Sequence, residues 1–227
     1  MDPIFEAVLG SDEIVSRLLR RSPELSQARA GQDHLVETIP HWLYKGDTPL
    51  HLAAAALRTG SAKLLLESGA NVNEENRRGA TPLHYACDPR PKSGGIWDPA
   101  KQGEIIDLLV RHGANLEKVD RGGASALHRA VRARSPVAVR QLLKAGARVD
   151  IRLGKRGSTP IHLAVQPTGA SGTAGAVSEQ LEIIATLLQH GADPAAKDAR
   201  GRSAIDWAPN ERISAALQKS ADKSLDS

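Results

Sequence analysis

The sequence predicts an all-α solenoid of stacked helix-turn-helix units with β-turn or hairpin fingers. Three observations carry this. A short phrase recurs as "TPLH" at 48–51 and 81–84, "SALH" at 125–128 and "TPIH" at 159–162. A second phrase closes each unit: "ESGANV" (67–72), "RHGANL" (111–116), "KAGARV" (144–149) and "QHGADP" (189–194). An apolar stripe precedes each closure: Leu64, Leu65 and Leu66; Ile105, Ile106, Leu108 and Leu109; Val137, Val139, Leu142 and Leu143; Ile183, Ile184, Leu187 and Leu188. That spacing fits a helix with one buried face.

The register sets the period. Thr48 to Thr81 spans 33 residues, Thr81 to Ser125 44, Ser125 to Thr159 34 and Thr159 to Ser203 44. The period is therefore 33, with one extra residue once and eleven extra twice. A fixed period in this range marks a repeat architecture. The period and the TPLH phrase together resemble the ankyrin-repeat family. The resemblance covers roughly residues 3–217 and implies an all-α ankyrin solenoid, each unit a finger followed by two antiparallel helices. It divides a single domain, 1–217, into units at about 3–44, 45–77, 78–121, 122–155, 156–199 and 200–217, with 218–227 as a polar, fraying tail.

Taken in order, "IFEAVLGSDEIVSRLLRRSP" (4–23) forms the helix pair of a degenerate first unit. In the next four units Thr48, Thr81, Ser125 and Thr159 are suited to cap a helix, since a hydroxyl accepts an orphan amide of the first turn. Proline follows three of these caps, where its missing amide costs nothing. His51, His84, His128 and His162 stand three residues past each cap, placed to reach back as Glu or Gln does in a capping box. The resemblance implies that they also tie neighbouring fingers together. One histidine per unit, at equivalent places, does not make a metal cluster, because zinc needs its nitrogens at ~2.0–2.1 Å. The last unit, "SAIDWAPNERISAAL" (203–217), carries Asp206 at that place and a thin outer stripe of Ile213, Ala216 and Leu217, as a solvent-facing cap requires.

Departures from the repeat are where function is added. Three insertions, at 24–44, 88–103 and 166–180, fall in units 1, 3 and 5. The first is long enough for a hairpin and carries Trp42 and Tyr44; the second is Pro/Gly-rich, irregular for much of its length, and carries Trp97. The third is small-residue-rich, with Ser178 placed to cap the following helix. Three of the six aromatic residues thus sit in the first two insertions, and Trp and Tyr are enriched at binding hot spots. In the family the resemblance points to, residues around the glycine before TPLH project from the fingers and vary with the partner. Those places hold Tyr44, Lys45 and Asp47; Arg77, Arg78 and Ala80; Arg121, Gly122 and Ala124; Lys155, Arg156 and Ser158; Ala199, Arg200 and Arg202. Eight of the fifteen are basic, where the chain average gives about two, so a basic stripe should run along the fingers and steer an acidic partner.

Other functions find little support. Cys87 is the only cysteine, which rules out an intrachain disulfide or a four-cysteine metal site. The "DHLVETIPH" segment (33–41) holds Asp33, His34, Glu37 and His41 but matches no ordinary zinc signature, and no phosphate-binding glycine loop occurs. Asp2, Glu6, Asp12 and Glu13 in the opening residues do not suit a signal peptide, and no apolar run reaches the ~18 residues of a membrane span. The sequence-level expectation is a cytoplasmic, monomeric, non-enzymatic scaffold for protein–protein interaction, without catalytic residues, metal or cofactor. It binds an acidic protein through Trp42, Tyr44, Lys45, Asp47, Arg77, Arg78, Trp97, Arg121, Lys155, Arg156, Arg200 and Arg202. The alternative is a polyanion binder, for nucleic acid or anionic lipid, using the same stripe; no nucleic-acid motif accompanies the charge.

Overall fold

The structure, a computed structural model, describes residues 2–36, 39, 41–89, 97–167 and 176–221. Helix α1 (Pro3–Gly10) packs on α2 (Asp12–Arg21), α3 (Pro49–Ala55) on α4 (Thr59–Glu67), α5 (Pro82–Ala86) on α6 (Pro99–Arg111), α7 (Ala126–Arg132) on α8 (Pro136–Lys144), and α9 (Pro160–Ala164) on α10 (Val177–Gln189). The stack ends with α11 (Ala204–Trp207) against α9 and α12 (Glu211–Ala221) against α10. Odd-numbered helices form one layer and even-numbered helices a second. The inner helices are short and nearly surrounded: Leu50, His51, Leu52, Ala53 and Ala54 of α3 are all inaccessible. Alanines at 86, 130 and 164 repeat this, which lets thin helices approach closely. One stripe of each outer helix supplies the other half of the core, with Leu65, Ile105, Ile106, Leu109, Val139, Leu142, Ile183, Ile184 and Leu187 inaccessible. Each such side chain stabilises by about 1.5–3 kcal/mol.

The four histidines build the scaffold. His51 Nδ1 accepts the Thr48 amide at 3.1 Å and lies 2.9 Å from Thr48 Oγ1. A neutral ring that accepts at Nδ1 carries its proton on Nε2, and His51 Nε2 donates to Ala80 O of the next finger at 3.0 Å. His84 does the same to Ala124 O at 2.9 Å and His162 to Arg202 O at 3.1 Å. His128 keeps its cap with Ser125, but its buried Nε2 closes no such bond among the described residues. The finger it faces is the one with the extra residue. There a 3-10 turn, Gly154–Arg156, displaces the chain, and Gly157 takes φ 62°, a left-handed conformation that favours glycine. In the last unit Asp206 replaces the ring, accepting the Ser203 amide at 2.7 Å, and this bond holds its carboxyl down to about 2.

The insertions differ in part from expectation. The first forms a 3-10 turn, Pro23–Gln27, and an antiparallel hairpin of β1 (His34–Val36) and β2 (His41–Leu43). In the second, residues 90–96 lie outside the described set, but 99–103 are helical. Pro99 opens α6 rather than breaking it, because its absent amide falls in the first turn and Asp98 caps the amides of Ala100 and Lys101. In the third, residues 168–175 lie outside the described set, and Ser178 is inside α10 rather than capping it, its hydroxyl donating to Glu179. At the far end α12 runs on through Ala221, so the helix extends into the stretch expected to fray. Asn73 also bridges units, donating to Gly113 O at 2.9 Å and accepting the Asn115 amide at 2.7 Å.

Buried glutamines anchor both long insertions where the inner helix ends. Gln102, inaccessible, donates to Ala86 O and Pro89 O at 3.0 and 2.9 Å, while its Oε1 accepts Trp97 Nε1 at 2.8 Å and Ser135 Oγ at 2.7 Å. Gln180 makes the corresponding bonds to Ala164 O and Gln166 O at 2.9 and 3.0 Å. Buried Arg134 donates to the same two carbonyls, its guanidinium acidity raised by desolvation.

Two predictions arise here. Replacing Gln102 with Ala strands four polar partners and should cost about 2–4 kcal/mol; Gln180→Ala, whose carbonyls keep Arg134, should cost about half as much. Urea unfolding measures both, and equal small losses would contradict the anchoring role. The second prediction concerns pH. Burial pushes His84 and His128 down to about 4 from 6.5 and lowers His51 as well. The unfolded chain therefore binds more protons than the folded one as pH falls below 6.5. Stability should be full above pH 7 and fall steeply from pH 6.5 to 4, with His84 and His128 each contributing on the order of 3 kcal/mol. A flat stability profile across pH 5–7 would contradict this.

Candidate functional site

Three of the five fingers are held by a side chain that precedes the glycine. Asn76 Oδ1 accepts the amides of Arg78 and Ala80 at 2.8 and 3.1 Å. Asp120 Oδ1 accepts those of Gly122 and Ala124 at 2.9 and 3.0 Å, and Asp198 Oδ1 those of Arg200 and Arg202 at 2.8 and 2.9 Å. An Asx side chain folding its own backbone into a turn explains the motif. The repeated Asn/Asp three residues before Gly79, Gly123 and Gly201 is the sequence signal that reveals it. Neighbouring fingers are then stitched by main-chain bonds: Arg77 N to Lys45 O at 3.2 Å, Arg121 N to Arg78 O at 2.9 Å, and Ala199 N to Arg156 O at 3.0 Å. Gly123 lies against Gly154 so closely that a Cβ there would sit 2.4 Å from its Cα.

This ladder sets the basic residues side by side. Arg77, Arg78, Arg121, Lys155 and Arg156 line one groove of about 1220 Å³, joined by Arg132 from α7, which sequence reasoning missed. Asp120 is the acidic residue on its wall. Burial works against its carboxylate, but the Arg129 guanidinium at 2.8 Å and the Ala124 amide outweigh that and lower its pKa. Arg129 also pairs with Asp88 at 2.9 Å. The acid is thus matched below the surface, and the groove keeps a positive field. Among the described residues, Arg121, Arg132, Lys155 and Arg156 have no carboxylate within ion-pair range, whereas Arg77 pairs with Asp33. Lys45 and Arg200 are exposed in the same row; Arg202 lies 4.6 Å over the Trp207 ring and pairs with Asp198 at 3.6 Å.

The other candidates fall in several places. Trp42 is 48% exposed. Tyr44 is half-buried beneath Arg78, whose guanidinium carbon stands 4.7 Å from the ring centre. Trp97 is half-buried with its indole N–H engaged by Gln102. Asp47 does not reach a fingertip surface. It is inaccessible, accepting the Tyr44 amide at 2.6 Å, Asn76 Nδ2 at 2.7 Å and the Tyr85 hydroxyl at 2.9 Å. In four of the five fingers the residue after the glycine turns inward, Asp47 like Ala80, Ala124 and Ser158, whereas Arg202 after Gly201 stays exposed; Asp47 is thus a structural hub buried in the scaffold. In the 33–41 segment Asp33 binds the Lys45 amide and Arg77, His41 packs edge-on against Tyr85, and Glu37 lies outside the described residues. Among the described residues no three His, Cys, Asp or Glu side chains are grouped to hold a metal. Burial pushes the Cys87 thiol well up, the opposite of a nucleophile's requirement.

Comparison with known proteins agrees with this architecture. The family profile "Ankyrin repeats (3 copies)" matches residues 4–92 and 99–198. Among curated proteins the chain is similar to stress-activated protein kinase alpha of Dictyostelium discoideum, 40% identical over 149 residues, 64% of this chain and 22% of that protein. It is similar to the B-cell lymphoma 3 protein homolog of Mus musculus, 32% identical over 160 residues, 70% of this chain and 31% of that protein. A shorter match, 54% over 46 residues, is to the human neurogenic locus notch homolog protein 4, covering 20% of this chain and 2% of that protein. The chain therefore spans less than a third of the length of each of these relatives. With its repeat register, capped inner helices and stitched fingers, and a profile that covers most of its length, the chain belongs to the ankyrin-repeat family.

Proposed function

We propose that this chain is a non-enzymatic, monomeric interaction module that captures an acidic segment of a protein partner in the cytoplasm. Ankyrin repeats generally act as protein–protein interaction modules, and no helix among the described residues is long and apolar enough to cross a membrane. The observation that carries the reading is the groove. It gathers Arg77, Arg78, Arg121, Arg132, Lys155 and Arg156 around a single carboxylate already matched by Arg129. The finger ladder and α7 fix the backbone that carries these cations before any ligand arrives, so little backbone ordering entropy is lost on binding. Their field speeds encounter and selects against basic partners. Lys45, Arg200 and Arg202 extend the row to either side, and Trp42, Tyr44 and Trp97 offer contact area at the insertions.

The test uses a labelled peptide of eight glutamates and the Arg78→Glu, Arg121→Glu, Arg156→Glu triple variant. The variant should keep its circular dichroism and melting temperature, since these side chains lie on the surface. Its affinity for the peptide should fall more than tenfold, and wild-type binding should weaken with added salt. Unchanged binding would sink the groove reading. Generic double-stranded DNA bound at physiological salt as tightly as the peptide would favour the polyanion alternative.

A further inference from the structure

The hairpin of the first insertion has two unlike faces. Successive strand residues point to opposite sides. On one side Val36 and Leu43 are 3% and 2% exposed and join the core. On the other, Leu35 and Trp42 stand directly opposite each other across the two strands, at 45% and 48% exposure. Single exposed apolar residues are ordinary. A cross-strand Leu–Trp pair is a platform, because directly opposed Cβ atoms lie only ~4.5–5.5 Å apart. The platform is also held in place. Asp33, just before β1, accepts the Lys45 amide at 2.8 Å and pairs with Arg77. At the neck, Ala30 N donates to Asp47 O and Gly46 N to Ala30 O, both at 2.8 Å.

The hairpin connects to the basic groove through Tyr44. Two residues beyond Trp42, the Tyr44 ring carries the Arg78 guanidinium, and Arg78 lines the groove. Charge complementarity then identifies what covers the apolar face. A second copy would bring a like-charged finger row, whereas an acidic segment is drawn along the groove and passes the hairpin. We propose that the Leu35–Trp42 face is an anchor site for a large apolar side chain of that segment. The ligand would then be bipartite, an acidic run next to an aliphatic or aromatic residue. This inference rests on the groove reading of the proposed function and adds the second element to it. The acidic run supplies steering and the apolar anchor supplies residence, the usual division between charged rims and buried hot spots.

A random peptide library displayed on phage, selected on the full chain at physiological salt, tests it. Leu35→Thr, Trp42→Thr protein serves as the comparison, threonine being a good strand former; an unchanged circular dichroism spectrum establishes that it folds. Wild-type selections should combine an acidic run with a large apolar residue at a constant offset. Replacing that residue with Ser in the synthetic peptide should weaken binding more than tenfold to wild type and less than twofold to the double variant. Acidic peptides without a fixed apolar position, or equal losses on both proteins, would overturn the anchor while leaving the groove reading intact. Selections without acidic enrichment would overturn the groove reading itself. Dimerisation by sedimentation that the double substitution abolishes would assign the face to a second copy and overturn the proposal.

Discussion

The structure depends on one repeated interaction, a neutral buried histidine that caps its own helix and bonds the next finger. At His51, His84 and His162 Nδ1 accepts the cap residue's amide and Nε2 donates to a carbonyl in the following unit. One side chain therefore sets the start of an inner helix and fixes the neighbouring finger to it. Each contact is worth about 1 kcal/mol in isolation, but the array converts local caps into a row. Stability in such stacks is a sum of unit and interface terms, so a bond that belongs to both has outsized effect. It also explains why the basic residues are displayed as a row. The fingers that carry Arg77 and Arg78, Arg121, and Arg200 and Arg202 hang from the histidines on one side and from Asn76, Asp120 and Asp198 on the other.

Where the array departs from the repeat, compensating contacts appear. The extra residue in the fourth finger leaves His128 Nε2 without a well-formed hydrogen bond to the Ser158 carbonyl it faces, and the Leu153–Ser158 bridge and the Gly123–Gly154 approach hold that finger instead. The eleven-residue insertions free the ends of α5 and α9, and Gln102 and Gln180 take up the exposed carbonyls. The groove combines the two regimes. Arg77, Arg78 and Arg121 stand on regular fingers, while Lys155 and Arg156 stand on the irregular one.

Much of the fold was legible because its signals are periodic. The TPLH phrase, the Gly-Ala closure and the apolar stripe fix the register without reference to distant contacts, and the capping geometry of Thr48 and His51 follows from their spacing alone. What escaped was aperiodic or directional. Asp47 looks like an exposed finger charge, but the chain turns inward after Gly46 and buries it against Asn76 and Tyr85. Pro99 looks like a loop residue, yet at the first turn of a helix it breaks nothing. Arg132 lies on an inner helix, and only the stacking of α7 beside the fingers brings it into the groove. Leu35 gains meaning from its cross-strand register with Trp42, which no local pattern specifies.

The most direct test of the account is hydrogen–deuterium exchange on the finger row of the His84→Gln protein. Glutamine keeps a capping-box acceptor for the Thr81 amide but does not supply the imidazole Nε2 that bonds Ala124 O. The account predicts that amides of the Asp120–Ala124 finger lose protection while those of α6 and α8 keep theirs. Unchanged protection in that finger, or a uniform loss across all helices, would contradict it.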